Sequence, residues 1–202
     1  MTQNTETEIK LYVPHLELIQ IRLERIGAKL TAPRVYERNV RYENAEKSLT
    51  SQGIVIRLRQ DSRARLTYKE GASVQDGVVS RTEIEVEVSD FDAMQMILGK
   101  LGYHPHMVYE KYRTTYELDD AEIVLDEMPY GSFVEIEGDI AVIESVIKRL
   151  ELGSAARYPG SYTTLFERVK KHLGLIFDDL TFDNFKNVDV PEIAFQTPDP
   201  SR

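Results

Sequence analysis

Apolar residues recur at helical spacing in four stretches of the chain, each with a recognisable start or stop. The first runs from Pro14 to Gly27 and puts Leu18, Ile19, Leu23 and Ile26 on one face, with a proline in its first turn and a glycine at its end. The second begins at a capping Asp90 and is expected to bury Phe91, Met94, Ile97, Leu98 and Leu101 before Gly102. The third uses Ile140, Ile143, Val146, Ile147 and Leu150 before Gly153. The fourth starts at Ser161, uses Leu165, Phe166 and Val169, and stops near Gly174. Thr181–Phe185 is expected to add one or two helical turns. From about Asn187 the chain is aperiodic and carries Pro191, Pro198 and Pro200, so 187–202 is expected to be a loosely docked or disordered tail behind a single domain, 1–186.

Between the helices, alternation of apolar and polar side chains predicts eight strands. They are Thr5–Val13, Val35–Glu43, Ile54–Gln60, Arg65–Glu70, Ser80–Ser89, Val108–Leu118, Glu122–Met128 and Ser132–Gly138. Asp76-Gly77 and Tyr130-Gly131 supply turn chemistry between neighbours. A strand–helix–strand unit appears twice, from Glu8 to Arg38 and again from Glu83 to Lys111, as a faint internal echo.

Side chains two apart on a strand share a face. Glu6, Glu8 and Lys10 share one, as do Arg57 and Arg59, Thr67 and Lys69, Lys111 and Arg113, Glu122 and Asp126, and Glu135 and Glu137. Arg81, Glu83, Glu85 and Glu87 oppose Ile84, Val86 and Val88. Such alternation ordinarily means a solvated outer face. Here Ser, Thr and Gln, common on solvated faces, are nearly absent from these positions. Acids gather on the first, fifth and eighth strands and bases on the third, fourth and sixth, while four one-sided helices must cover the apolar side. The expected fold is therefore α+β: an eight-stranded antiparallel tunnel-type β-barrel with a charged lumen and helices packed outside.

Composition narrows the function. The chain has 202 residues, 25 Lys+Arg and 34 Asp+Glu, for a net charge of −9. An acidic chain is a poor sequence-independent binder of nucleic acid. Without cysteine there is no disulfide scaffold, thiolate-bound zinc or cysteine nucleophile, which is compatible with a reducing cytoplasm. No run is long and apolar enough for a membrane span, and Met1–Lys10 is not a signal peptide, so a cytoplasmic protein is expected. His15, His104, His106 and His172 are scattered and read as surface residues. Ser161 reads as a helix cap. The tyrosines form no stacking array of the single-strand-binding kind.

Unpaired charges in a lumen are costly, and a bound polyanion with a divalent metal offsets that cost. Lys10, Arg57, Arg59, Lys69, Lys111 and Arg113 would form a basic wall for several phosphates. Glu6, Glu8, Asp126, Glu135 and Glu137 would form an opposing wall of oxygen donors, which suit Mg²⁺ or Mn²⁺. Alternate carboxylates on a strand lie about 7 Å apart, enough to bracket one hydrated metal or contribute to two. Glu83 and Glu87 are expected to pair with bases, whereas Glu85 either orients a water or pairs. Arg157 and Tyr162 either close one mouth of the tunnel or pack the fourth helix.

In this order, Glu6-Thr7-Glu8-Ile9-Lys10, Gly53–Arg59, Leu66–Lys69, Arg81–Glu85, Glu110–Arg113, Leu125-Asp126, Gly131–Glu137 and Ser161-Tyr162 with Leu165 resemble the CYTH superfamily, the triphosphate tunnel metalloenzymes. The resemblance covers roughly residues 5–170. It implies a tunnel barrel binding a nucleoside or inorganic triphosphate with Mg²⁺ or Mn²⁺. The implied metal ligands are Glu6, Glu8, Asp126, Glu135 and Glu137, and the implied phosphate ligands are Lys10, Arg57, Arg59, Lys69, Lys111 and Arg113. Glu85 and Lys111 are the candidate catalytic residues. One departure is Asn39, where many relatives carry Asp, which puts a secondary polar contact in doubt. Three readings share these walls: hydrolysis of tripolyphosphate, thiamine triphosphate or ATP, placed first; class IV adenylyl cyclase chemistry, giving cyclic AMP and pyrophosphate; and a non-catalytic polyphosphate-binding module. The five carboxylates favour catalysis, in a monomer or homodimer acting on a small triphosphate with no nucleic acid or membrane partner.

Overall fold

In the computed structural model, which describes residues 5–196, eight strands close into a ring. They are β1 (Thr5–Tyr12), β2 (Lys29–Glu43), β3 (Val55–Gln60), β4 (Ala64–Gln75), β5 (Val78–Val88), β6 (His104–Leu118), β7 (Ala121–Met128) and β8 (Gly131–Glu137). Their order around the ring is β1-β5-β4-β3-β2-β6-β7-β8, every pairing is antiparallel, and β8 returns to β1. The α+β barrel expected from alternation is thus observed. Asp76 and Gly77 both take positive φ (51° and 83°), the conformation a two-residue hairpin turn requires between β4 and β5.

Among the described residues five α-helices lie outside: α1 (Leu16–Arg25), α2 (Ser48–Ser51), α3 (Phe91–Lys100), α4 (Ile140–Arg149) and α5 (Tyr162–Leu173). The Asp90 and Ser161 side chains cap α3 and α5 by accepting from Ala93 N and Thr164 N. α1 and α4 cover the outer face of β1, β7 and β8, where Ile19, Leu23, Ile143, Val146, Ile147 and Leu150 meet Ile9, Leu11, Ile123 and Ile136. Each such fully buried aliphatic side chain contributes roughly 1.5–3 kcal/mol. Among the described residues no helix is long and apolar enough to cross a membrane.

Several expectations needed correction. α3 buries only Leu98 fully; Ile97 and Leu101 stay 51% and 68% exposed, because only Leu98, with Phe91 and Met94 beside it, reaches the small cluster of Val40, Tyr42 and Leu58. Leu18 of α1 and Ile140 of α4 are also exposed. Thr181–Phe185 forms no helix: Leu180 instead exchanges backbone hydrogen bonds with β6, and turns follow at 182–187. α2 follows from no periodic pattern; the Glu43 carboxylate builds it by accepting from Leu49 N, Thr50 N and the Thr50 hydroxyl. The segment expected as a loose tail carries a 3₁₀ turn, Glu192–Phe195, whose Phe195 ring is fully buried against Tyr12, Tyr130, Phe133 and Tyr158. Proline stops a regular element there without preventing an aromatic anchor from docking. Residues 197–202 of that segment lie outside the described residues.

Candidate active site

The two-residue period turns the charged side chains of all eight strands into the ring, where they line one cavity of about 780 Å³. Toward α5 the same inward positions change character. Beyond Lys10 comes Tyr12, beyond Glu135 Phe133, beyond Asp126 Met128, and beyond Lys111 Tyr109. Apart from the half-buried Tyr12 these are buried, and all of them pack with Tyr162, Phe166 and Phe195, so aromatic packing fills that end beside β1, β8, β7 and β6.

Acids and bases interleave around the wall. Lys10 Nζ lies 2.5 Å from Glu135, which also accepts from Arg113 at 2.6 Å. Arg113 forks onto Asp126 at 2.7 and 2.6 Å, and Asp126 further accepts from Lys111 at 3.1 Å and the Tyr162 hydroxyl at 2.8 Å. Lys69 bonds Glu6 at 3.1 Å and also contacts Glu83. Arg81 bridges Glu6 (3.0 Å) and Glu8 (2.8 Å). Two separate walls of like charge are therefore not what forms: like charges directly opposite on neighbouring strands repel, and register places an acid beside each of these bases.

Glu85 accepts from Arg59 at 2.9 Å, from the Thr67 hydroxyl at 2.9 Å and from Arg57 at 3.5 Å. Burial alone would raise its pKa, but Arg59, Thr67 and Arg57 together hold it below the usual carboxylate range, which makes it a weak proton acceptor. Of the two roles left open for Glu85, pairing is the one the geometry displays. Glu87 pairs with Arg63 at the exposed rim. Arg157 lies outside the lumen on Asp76 O and Glu144, while Tyr162 enters it, under the ammonium of Lys10 at 4.5 Å. All four histidines are exposed.

One corner, at the end of the lumen away from α5, is short of positive charge. Glu137 stands directly opposite Glu8 and Glu122, and among the described residues neither Glu137 nor Glu122 has a Lys or Arg at ion-pair distance. Burial and repulsion from Glu6, Glu122, Glu8 and Glu83 push the Glu137 carboxyl up to about 7. Glu83 is likewise raised, first by burial and then by its hydrogen bond to Glu6. In Glu6 that bond, Lys69 and Arg81 outweigh burial and keep it ionised. Crowded, all-oxygen donors under mutual repulsion fit a hard divalent cation. Among the described residues no three such donors already converge on one point, and Arg81 stands between Glu6 and Glu8.

The lumen thus brings together every site residue singled out from the sequence: Glu6, Glu8, Lys10, Arg57, Arg59, Lys69, Glu85, Lys111, Arg113, Asp126, Glu135 and Glu137. It adds Glu37, Arg41, Arg65, Arg81 and Glu122, and Tyr109. Glu37, fully enclosed, sits 3.5 Å from both Arg59 and Lys111, and these bases with Arg113 overcome burial to hold it well below the carboxylate range. Its parity with Asn39 and Arg41 was the signal available, since alternation on the second strand runs through all three. Asn39 is fully buried and neither atom of its amide has a partner, in keeping with the doubt about that contact.

A family model described as CYTH domain matches residues 4–153. The chain is 27% identical over 148 residues to a protein of Methanocaldococcus jannaschii named "Putative adenylate cyclase", covering 72% of this chain and 83% of that one. Among solved structures, a putative adenylate cyclase of Vibrio parahaemolyticus matches with a TM-score of 0.67 at 19% identity, covering 82% of this chain and 99% of that one. A putative adenylyl cyclase of Hippeastrum, described as revealing a dominant triphosphatase activity, matches with a TM-score of 0.62 at 17% identity, covering 85% and 97%. At these identities the two structures share the fold.

Proposed function

Because the chain belongs to the CYTH domain family, we propose that it is a divalent-metal-dependent enzyme that hydrolyses a triphosphate inside its barrel. The observation that carries this reading is one cavity within the ring, lined by many bases and ending in a corner where, among the described residues, Glu137 and Glu122 have no Lys or Arg at ion-pair distance. Glu6, Glu8 and Glu137 would hold the metal, with Asp126 and Glu135 as the remaining candidate ligands. A bound Mg²⁺ or Mn²⁺ would neutralise phosphate oxygens and assist attack on phosphorus.

The protein's own groups do the rest. Arg57, Arg59, Lys69, Lys10, Lys111 and Arg113 donate to phosphate oxygens, and their carboxylate partners keep them extended into the lumen before substrate arrives. Lys111, poised between Asp126 and Glu37, donates to an oxygen that gains charge. Glu85 aligns Arg57 and Arg59 rather than taking a proton. The aromatic cap around Tyr162 excludes water from the α5 end.

Cyclisation of ATP is the second reading, supported by the name of the archaeal relative. One assay series separates them. With Mg²⁺ or Mn²⁺ and tripolyphosphate, thiamine triphosphate or ATP, hydrolysis gives phosphate and no cyclic AMP. Cyclic AMP with stoichiometric pyrophosphate would replace the first reading by the second, and no turnover of any of the three would remove both.

A further inference from the structure

Arg41 differs from every other base that lines the cavity. Each of the others has a carboxylate within ion-pair distance. Among the described residues Arg41 has none; its guanidinium donates to the Thr163 hydroxyl of α5 at 2.6 Å, which orients it without neutralising it. The nearest acid on its own strand, Glu43, is already consumed in holding α2. Directly opposite on β3 stands Arg57, a second guanidinium at cross-strand distance. Like charges in that register repel, and burial further disfavours the Arg41 charge. Tyr109, the other polar group nearby, is engaged by Arg57 at 3.2 Å. A lumen that gives each of its other bases a carboxylate and leaves this one cation beside another, with the amide of Asn39 next to it also without a partner, has a place for an anion.

We infer that Arg41, oriented by Thr163, is a further phosphate-binding residue, which with Arg57 takes the phosphoryl group at the α5 end of a bound triphosphate. The inference rests on the triphosphate reading and deepens it. On β8 the four-residue path from Phe133, beside α5, to Glu137 spans about 14 Å, so Arg41 serves the phosphoryl group farthest from the carboxylate corner. It then contributes to discrimination by chain length: the other lumen bases hold two phosphoryl groups, and the third, which only a triphosphate has, is the one that meets Arg41.

Metal-free titration calorimetry with tripolyphosphate and with pyrophosphate tests this on the 202-residue chain, without reference to turnover. Arg41→Gln should weaken tripolyphosphate binding about tenfold, the scale of losing a hydrogen bond between charged groups, and weaken pyrophosphate binding clearly less. Arg41→Lys should recover part of the loss; should the Gln variant fail to fold, a Lys variant that is weaker for tripolyphosphate than for pyrophosphate supports the assignment, and one equal to wild type overturns it. Wild-type and Arg41→Gln proteins of equal affinity, or an equal loss for both ligands, would overturn it too. A wild-type protein that takes up no tripolyphosphate would instead overturn the triphosphate reading beneath it.

Discussion

The Tyr162 hydroxyl donates to Asp126 Oδ2 at 2.8 Å, so the first turn of α5 is part of the lumen wall. Asp126 is wholly enclosed and also serves Arg113 and Lys111, which makes it the anchor between barrel and helix.

Two variants should therefore separate charge from hydrogen bonding. Asp126→Asn leaves buried cations without their counter-charge and is expected to destabilise the fold by about 3–5 kcal/mol. Tyr162→Phe removes one hydrogen bond to a carboxylate and should cost about 1.5–3 kcal/mol. Urea unfolding midpoints measure both; equal losses would show that the ion pairs are not the larger contribution.

Glu137 predicts how the metal-free protein responds to alkali. Its folded pKa, about 7, lies above that of an unfolded glutamate, so the protonated form is favoured in the native state. The associated stability is complete below roughly pH 4 and is lost as pH rises through about 7. In chelator, the unfolding midpoint of wild type should fall over that range more than that of Glu137→Gln, and added Mg²⁺ should lessen the difference. Parallel pH profiles for the two proteins would rule out the crowding argument.

Glu43 should behave with the opposite sign. Burial would raise its pKa, but bonds from Thr50, Asn44 and Leu49 hold it at about 2. Its contribution is present above the unfolded value near 4.3 and is lost as pH falls toward about 2. Glu43→Gln should lower stability at neutral pH by about 1–3 kcal/mol and flatten the acid limb of the profile. An acid limb unchanged by the substitution would contradict this.

Glu8→Gln should abolish metal-dependent turnover while tripolyphosphate still binds without metal, because Gln keeps the size and loses the charge a cation needs. Phosphate release and calorimetry check the two halves. Undiminished turnover would remove Glu8 from the metal site.

Much of the site was legible because the signal is local. Glu6, Glu8, Arg57, Arg59, Glu135 and Glu137 declare their common face through the residue between them. Glu37 and Arg41 share that parity through Asn39, but Arg38 puts a charge on the opposite face and weakens the contrast. Arg81 stood on an otherwise acidic strand, and its bridging of Glu6 and Glu8 depends on the pairing of β5 with β1, more than seventy residues apart in sequence.

The linear order of side chains by itself determined four of the helices, the existence of the strands and the charged face, since each depends on spacing over a few neighbouring residues. Only the closed ring decided which acid meets which base, because register joins strands distant in the chain. It left Arg41 with Thr163 for company and Glu137 among other carboxylates. It also gave Phe195 a buried seat: an aperiodic, proline-bearing segment announces no element of its own and takes its place from the aromatic surface that α5 and the barrel end present to it.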